Sequence, residues 1–284
     1  MKILAIGDFH GKFPEKLEKL AKSEEINAIV ALGDYANADK IRKIIFKHWT
    51  DKPWHEVVGL KKARQMEKES FDSGLKILKK LNSLGKPVFL IWGNTDFYKD
   101  YRFTESPIFM PGFYENKIKK MKNLVVIDKR KSKIGGSDII GHGGYLDVTE
   151  YIKNPIDKDK KAQKKRLKRY KEDERRLEKL FLKKKPEKDF IFVIHYPPYG
   201  YFDKIAAKKN PMYGKHVGWQ PYNEIIKKYK PSLVFCGHMH EYIGKKKLGE
   251  SLVINVGAAF QGNCAIIDYP EKDKKKDIKV RLYR

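Results

Sequence analysis

Apolar residues fall into short, compact runs that end in polar or glycine-rich turns, and these runs alternate with segments of helical period. Such runs predict β-strands at residues 2–6, 28–32, 88–91, 124–127 and 138–140 in the first half, and at 190–194, 233–236, 251–255, 264–269 and 278–282 in the second. Helices are predicted between them. Leu17 and Leu20 share a face over 14–23, and Phe71, Leu75, Leu78 and Leu81 do so over 62–84, where Gly85 and Pro87 stop the pattern. Residues 221–229 repeat it. Alternating strands and helices argue for an α/β architecture. The last strands follow one another without helices, so antiparallel pairing is expected in the second half. No repeat or linker divides the chain, and a single domain over 1–284 is expected.

One segment departs from this rhythm. From Lys153 to Lys188 there are 17 basic and 7 acidic residues, a local net charge of +10. Leu167, Tyr170, Leu177 and Phe181 recur at helical spacing and form one narrow apolar stripe. A surface helix docked by that stripe is expected, inserted at about 153–188, with an arm for nucleic acid or another partner as the competing reading.

Composition sharpens the question. The 284 residues carry 62 Lys+Arg against 36 Asp+Glu, a formal net charge of +26. Hydrophobic residues make up 41%, enough for a real core, which excludes global disorder. No apolar run is long enough to span a membrane, and the N-terminus lacks the features of a signal peptide, so a cytoplasmic protein without a membrane partner is expected. Cys236 and Cys264 are too few for a disulfide framework or a thiolate zinc site, and both lie in apolar runs as buried thiols. The charge itself admits a nucleic-acid partner, an anionic substrate, or the Lys/Glu-rich surface of a thermophile.

Five clusters, each where a strand gives way to a loop, carry the chemistry: Gly7-Asp8-Phe9-His10-Gly11, Gly33-Asp34-Tyr35, Gly93-Asn94-Thr95-Asp96, His195-Tyr196-Pro197-Pro198 and Gly237-His238-Met239-His240-Glu241. Asp8 and His10 are two residues apart, so on extended backbone their side chains share a face; His238 and His240 repeat the spacing. Singly, each cluster also reads as a turn, a cap or a satisfied histidine. Together, Asp8, His10, Asp34, Asn94, His195, His238 and His240 offer seven oxygen or nitrogen ligands and fit two metal ions. Aromatic residues surround them: Phe97, Tyr98, Tyr101, Phe103, Phe109, Phe113 and Tyr114 follow Asn94, and are expected to pack a long loop onto the core.

At these residues the chain resembles the calcineurin-like metallophosphoesterases, in particular their prokaryotic and archaeal phosphodiesterase-like branch. The family signature runs D-x-H, G-D, G-N-H-[DE], H and G-H-x-H. The chain carries every element in that order from residue 2 to about 257, except that Thr95 replaces the third-cluster histidine. The resemblance implies a four-layer α/β/β/α sandwich with the basic helix as an insertion. It also implies two divalent ions, the first held by Asp8, His10 and His240, the second by Asn94, His195 and His238, with Asp34 bridging both.

Such a pair of ions about 3.5–4 Å apart shares a bridging water, lowers its pKa, and presents hydroxide for in-line attack on phosphorus. Mixed imidazole and oxygen ligands suit Mn, Fe, Zn, Ni or Co, with manganese the first expectation. Threonine is no acid, so His142 and His216 are candidates to protonate the leaving oxygen, beside Asp34 and Asn94 as ligands with catalytic roles. Asp96 is expected to orient a histidine ligand. The expected activity is hydrolysis of a small phosphodiester or nucleotide, ahead of a monoester. A nuclease gripping its substrate through Lys153 to Lys188, and a non-catalytic interaction scaffold of the same fold, are the alternatives.

Overall fold

Alternation along each strand sends side chains into two different cores. In β1 (Lys2–Ile6), Ile3 and Ala5 enter one apolar cluster and Leu4 and Ile6 another. In β7 (Ile191–Ile194), Ile191 and Val193 meet Ile3 and Ala5, while Phe192 and Ile194 face away. The computed structural model describes residues 1–49, 52–100, 111–155, 159–183, 186–187, 189–270 and 278–284. Tyr101, Phe103 and Phe109 of the aromatic stretch, and 156–158, 184, 185 and 188 of the basic segment, lie outside the described residues.

The first sheet has the order β12-β11-β1-β2-β3-β4, with β2 (Ala28–Ala31), β3 (Val88–Leu90) and β4 (Leu124–Val126) in a parallel series from β1, and β11 (Cys264–Asp268) and β12 (Lys279–Tyr283) antiparallel at the other side. The second has the order β5-β6-β7-β8-β10-β9. There β6 (Ser137–His142), β7, β8 (Leu233–Cys236) and β10 (Ser251–Asn255) run parallel, flanked by antiparallel β5 (Arg130–Ile134) and β9 (Gly244–Leu248). The antiparallel pairing expected late in the chain is present, but it lies at the sheet margins.

The inner faces share the core that contains Ile3, Val30, Ile191 and Phe235. Outside the first sheet, α1 (Glu15–Lys22), α4 (Leu60–Asn82) and α5 (Tyr114–Ile118) bury Leu17, Phe71, Leu78 and Tyr114. Outside the second, α7 (Lys160–Lys183) and α8 (Gln220–Tyr229) bury Leu177, Phe181, Tyr222 and Ile226. The order of layers is therefore α/β/β/α. Short helices α2 (Asp39–Lys47), α3 (Trp54–Val58) and α6 (Thr149–Lys153) complete the set. Among the described residues no helix is long and apolar enough to cross a membrane.

Three expectations are corrected. Strand β6 runs two residues further than 138–140, so His142 is part of a buried strand rather than a loop. Strands β5 and β9, absent from the sequence reading, are lysine-bearing sheet edges, where exposed charge discourages edge-to-edge pairing. The docking stripe of α7 is shorter than expected. Leu177 and Phe181 are fully buried and Tyr170 half-buried, but Leu167 is 39% exposed. The N-terminal half of α7 is held instead by Arg166 and Arg169, both paired to the buried carboxylate of Asp147 at 3.1 and 2.8 Å.

Candidate metal centre

Parallel strands point their C-terminal ends the same way, and the loops leaving β1, β2, β3, β7 and β8 meet there. Three of these loops, after β1, β2 and β8, turn sharply at a candidate ligand. Asp8, His10, Asp34 and His238 have φ of 55°, 44°, 54° and 67°, the left-handed region that costs a residue with a Cβ about 1 kcal/mol or more. Four such residues at one place mark a constellation held by its surroundings. Close glycine approach is part of this: a Cβ on Gly93 would lie 2.1 Å from Asp34 Oδ1, and one on Gly237 would lie 2.5 Å from Asp8 Oδ2.

All seven sequence-predicted ligands converge. Asp8, His10, Asp34 and His240 form one group, and Asp34, His195 and His238 a second, with donor atoms within 4.8 Å of one another in each. In the first, His10 Nε2 lies 3.1 Å from His240 Nε2 and 3.6 Å from Asp34 Oδ2, and His240 Nε2 lies 3.5 Å from Asp8 Oδ1. In the second, Asn94 Oδ1 is 2.9 Å from His195 Nε2 and 2.8 Å from His238 Nδ1, and Asp34 Oδ1 is 3.6 Å from His195 Nε2. Asp34 thus turns one carboxylate oxygen toward each group.

These separations fit metal ions. Ligand atoms about 2.1 Å from one ion, at tetrahedral or octahedral angles, lie about 3.0–3.4 Å apart. The donor set of imidazole, carboxylate and amide oxygen, without thiolate, suits a first-row divalent ion. Orientation is built in as well. His195 Nδ1 donates to the Leu32 carbonyl at 2.8 Å, which leaves Nε2 facing the site as an acceptor. Asp8 accepts the His238 backbone N–H at 2.9 Å.

Electrostatics favour the ligand forms of Asp34 and His238 and oppose that of His240. Burial works to raise Asp34, but His195, His10 and the Thr95 N–H outweigh it and hold the carboxyl far below its usual range. Burial pushes His238 down to about 3, so its ring is neutral and free to coordinate near pH 7. His240 moves the other way: burial opposes the charge, but its contact with Asp8 prevails and raises it.

Asp96 has a different role from the one expected. Among the described residues its carboxylate hydrogen-bonds no histidine ring; it accepts four backbone N–H groups, from Asp34 at 2.9 Å, Tyr35 at 2.8 Å, Ala36 at 3.2 Å and Gly93 at 2.8 Å. It therefore staples the loop that carries Asp34 to the one that carries Asn94. Thr95, in place of the family histidine, donates its N–H to Asp34 Oδ1 at 2.9 Å. One neighbour escaped the sequence reading: Phe260 sits T-shaped against the rings of His10 and His240. A phenylalanine in a short turn carries no motif to reveal it. Tyr196, of the fourth cluster, packs 4.1 Å from the ring of His238. The packing expected of the aromatic stretch holds for Phe97, Tyr98 and Tyr114, which are buried in the first outer core.

Neither leaving-group candidate makes a described contact with the seven. His142 is buried on the helix side of the second sheet, stacked on Trp219, with Nδ1 2.8 Å from the Tyr222 hydroxyl. Among its described contacts are Trp219 and Tyr222, and none is with the seven candidate ligands. His216 is held by Asp203 at 2.7 Å beside Tyr199, and none of its described contacts reaches the cluster.

Burial pushes His142 down to about 3, so folding opposes its protonation. The sign follows from linkage. Above the unfolded value of about 6.5 the ring is neutral in both states; as pH falls from there toward 3 the unfolded chain binds the proton and the native chain does not, and stability is lost. His142→Gln is expected to make the unfolding free energy, measured by urea denaturation between pH 6 and 4, less dependent on pH by about one proton. An unchanged dependence would contradict the burial argument.

Comparison with known proteins agrees with this geometry. Residues 1–279 match the family described as metallophosphoesterase, calcineurin superfamily, and the chain belongs to that family. Among solved structures it is similar to TT1561 of Thermus thermophilus, at 16% identity and TM-score 0.52, covering 99% of this chain and 97% of that one. It is similar to the phosphopantetheinyl hydrolase of Mycobacterium tuberculosis, at 12% identity and TM-score 0.52, with 99% and 95% covered. A dimetal phosphatase from Danio rerio aligns at 11% identity and TM-score 0.50, with 99% and 95% covered. At these identities the likeness is one of fold. No curated protein matches the sequence.

Proposed function

We propose that the chain is a dinuclear metal-dependent phosphoesterase that prefers phosphodiesters to monoesters. The observation that carries the reading is Asp34, a buried carboxylate with one oxygen toward each ligand group. Asp8, His10 and His240 would hold one divalent ion, Asn94, His195 and His238 the other, and Asp34 would bridge them. Manganese is the first choice. When bound, the pair supplies Lewis acidity toward phosphate oxygens and a water acidic enough to act near neutral pH.

The chain's own residues do the rest. Asp96 and the Gly93 approach fix the loops, so that the ligands meet without reorganisation. Asn94 contributes a neutral oxygen, which leaves two carboxylates, Asp8 and Asp34, against four metal charges. That surplus attracts a phosphate anion. Thr95 supplies no imidazolium for the second negative charge of a monoester and no proton for the leaving oxygen. A diester carries one charge and needs no such partner, which supports the diester preference and favours leaving groups of low pKa.

The test compares bis-p-nitrophenyl phosphate with p-nitrophenyl phosphate, with Mn present and after chelation. Diester hydrolysis is expected at a kcat/KM at least about tenfold above the monoester, roughly 1.4 kcal/mol of transition-state preference, and it should vanish on chelation. Monoester preference would overturn the substrate assignment, and turnover insensitive to chelation the metal assignment.

A further inference from the structure

The basic helix has two faces with different chemistry. Its inner face is paired: Arg166 and Arg169 hold Asp147, and Leu177 and Phe181 enter the second outer core, while exposed Arg176 on the flank meets Asp100 at 3.2 Å. Its outer face is a line of cations. Lys161, Lys165, Lys168, Lys171, Arg175 and Lys179 are exposed, and their mean spacing of about 3.6 residues is one helical turn, so they form a single stripe. Among the described residues none of these five lysines makes an ion pair; Arg175 donates to the Lys171 carbonyl, Glu172 is an acidic side chain on the stripe, and exposed Glu178 lies at its margin.

The stripe is about 27 Å long at 1.5 Å per residue, the span of roughly eight phosphates of one nucleic-acid strand. Its direction is fixed by the docking. Asp147, which anchors Arg166 and Arg169, follows the C-terminal end of β6, the same end of the sandwich at which the metal cluster lies. Phe181, at the other end of the helix, packs on Phe190, just before β7 begins. The lysine-rich half of α7 therefore lies at the edge that holds the candidate catalytic groups.

We infer that the outer face of α7 is a nucleic-acid-binding ridge that leads a strand toward the metal cluster, an inference that rests on the phosphodiesterase reading and narrows its substrate to a polynucleotide. Lysines one turn apart match a flexible line of phosphates and release counterions on contact. An anionic membrane is the poorer match. A membrane-lying helix needs an apolar face to bury, and the large apolar side chains Leu177 and Phe181 are turned inward; Leu167 lies off the stripe and Leu182 beyond its end.

Two triple variants of equal charge test the inference in the metal-loaded full chain. One is Lys161→Gln with Lys165→Gln and Lys168→Gln; the control is Lys245→Gln with Lys246→Gln and Lys247→Gln on exposed edge strand β9. The probe is a fluorescent 24-nucleotide strand with hydrolysis-resistant phosphorothioate linkages, and its affinity is followed against salt by polarisation. The slope of log K against log salt should become shallower by about 2 in the helix variant and by less than about 1 in the control. Turnover of bis-p-nitrophenyl phosphate should be unchanged in both, which separates the ridge from the catalytic reading. An unchanged slope in the helix variant, an equal loss in the control, or tighter binding to phosphatidylserine vesicles than to the strand would overturn the inference. If no variant or parent turned over the diester, the catalytic reading would fail while the slopes still judged the ridge.

Discussion

Asp34→Asn is expected to lower kcat/KM on a phosphodiester by at least about 10³-fold, roughly 4 kcal/mol of transition-state stabilisation, with the fold intact. The substitution keeps size and shape but removes the charge and turns one acceptor oxygen into a donor. Asp34 is buried, with one oxygen 3.6 Å from His10 and the other 3.6 Å from His195. An amide can present an oxygen to one side alone; its NH2 would face the other group as a donor where a ligand is required. The Thr95 N–H, 2.9 Å from Oδ1, would orient the amide oxygen toward the His195 side. The ion beside His10 should therefore be weakened most. Metal analysis after gel filtration should show less than two ions per chain, with the far-ultraviolet circular dichroism of the parent. Full activity in the variant would remove Asp34 from the centre of the account.

Asp96→Asn should have the largest effect on stability, about 3–5 kcal/mol. The buried carboxylate accepts four backbone N–H groups, two on each oxygen. Asparagine has one acceptor oxygen, so two of those donors would face an NH2 group and lose their partner. For a chain of this size the loss corresponds to a melting temperature lower by roughly 5–8 °C in the metal-free protein. Metal affinity should fall with it, because the staple joins the loops of Asp34 and Asn94. A melting temperature within 2 °C of the parent, judged against an expected loss of roughly 5–8 °C, would show that the four bonds are replaceable.

Much of this was legible in the sequence, for physical reasons that also explain what was not. Buried parallel strands such as 2–6, 191–194 and 233–236 are covered on both faces, so they must read as continuous apolar runs. Edge strands carry no such demand, and the lysines of β5 and β9 hid them. The seven metal-site candidates were visible because strand ends, glycines and ligand residues recur together in order. Asp96 was visible as a residue but not in its role, since backbone N–H groups leave no trace in the sequence. His142 resembled a loop histidine because the glycines around it suggested a turn; instead, Gly141 and Gly143 permit close packing against Ile127 and Trp92. The anchoring of α7 was half legible: Leu177 and Phe181 follow from periodicity, whereas the pairing of Arg166 and Arg169 with Asp147 depends on a partner 19 and 22 residues away.

The central claim is that seven side chains at the strand ends hold two neighbouring divalent ions through Asp34. Anomalous diffraction at the manganese edge, on crystals grown with Mn, tests it most directly. Two peaks about 3.5–4 Å apart are predicted, with Asp34 between them, Asp8, His10 and His240 at one, and Asn94, His195 and His238 at the other. A single peak, or peaks away from Asp34, would contradict it.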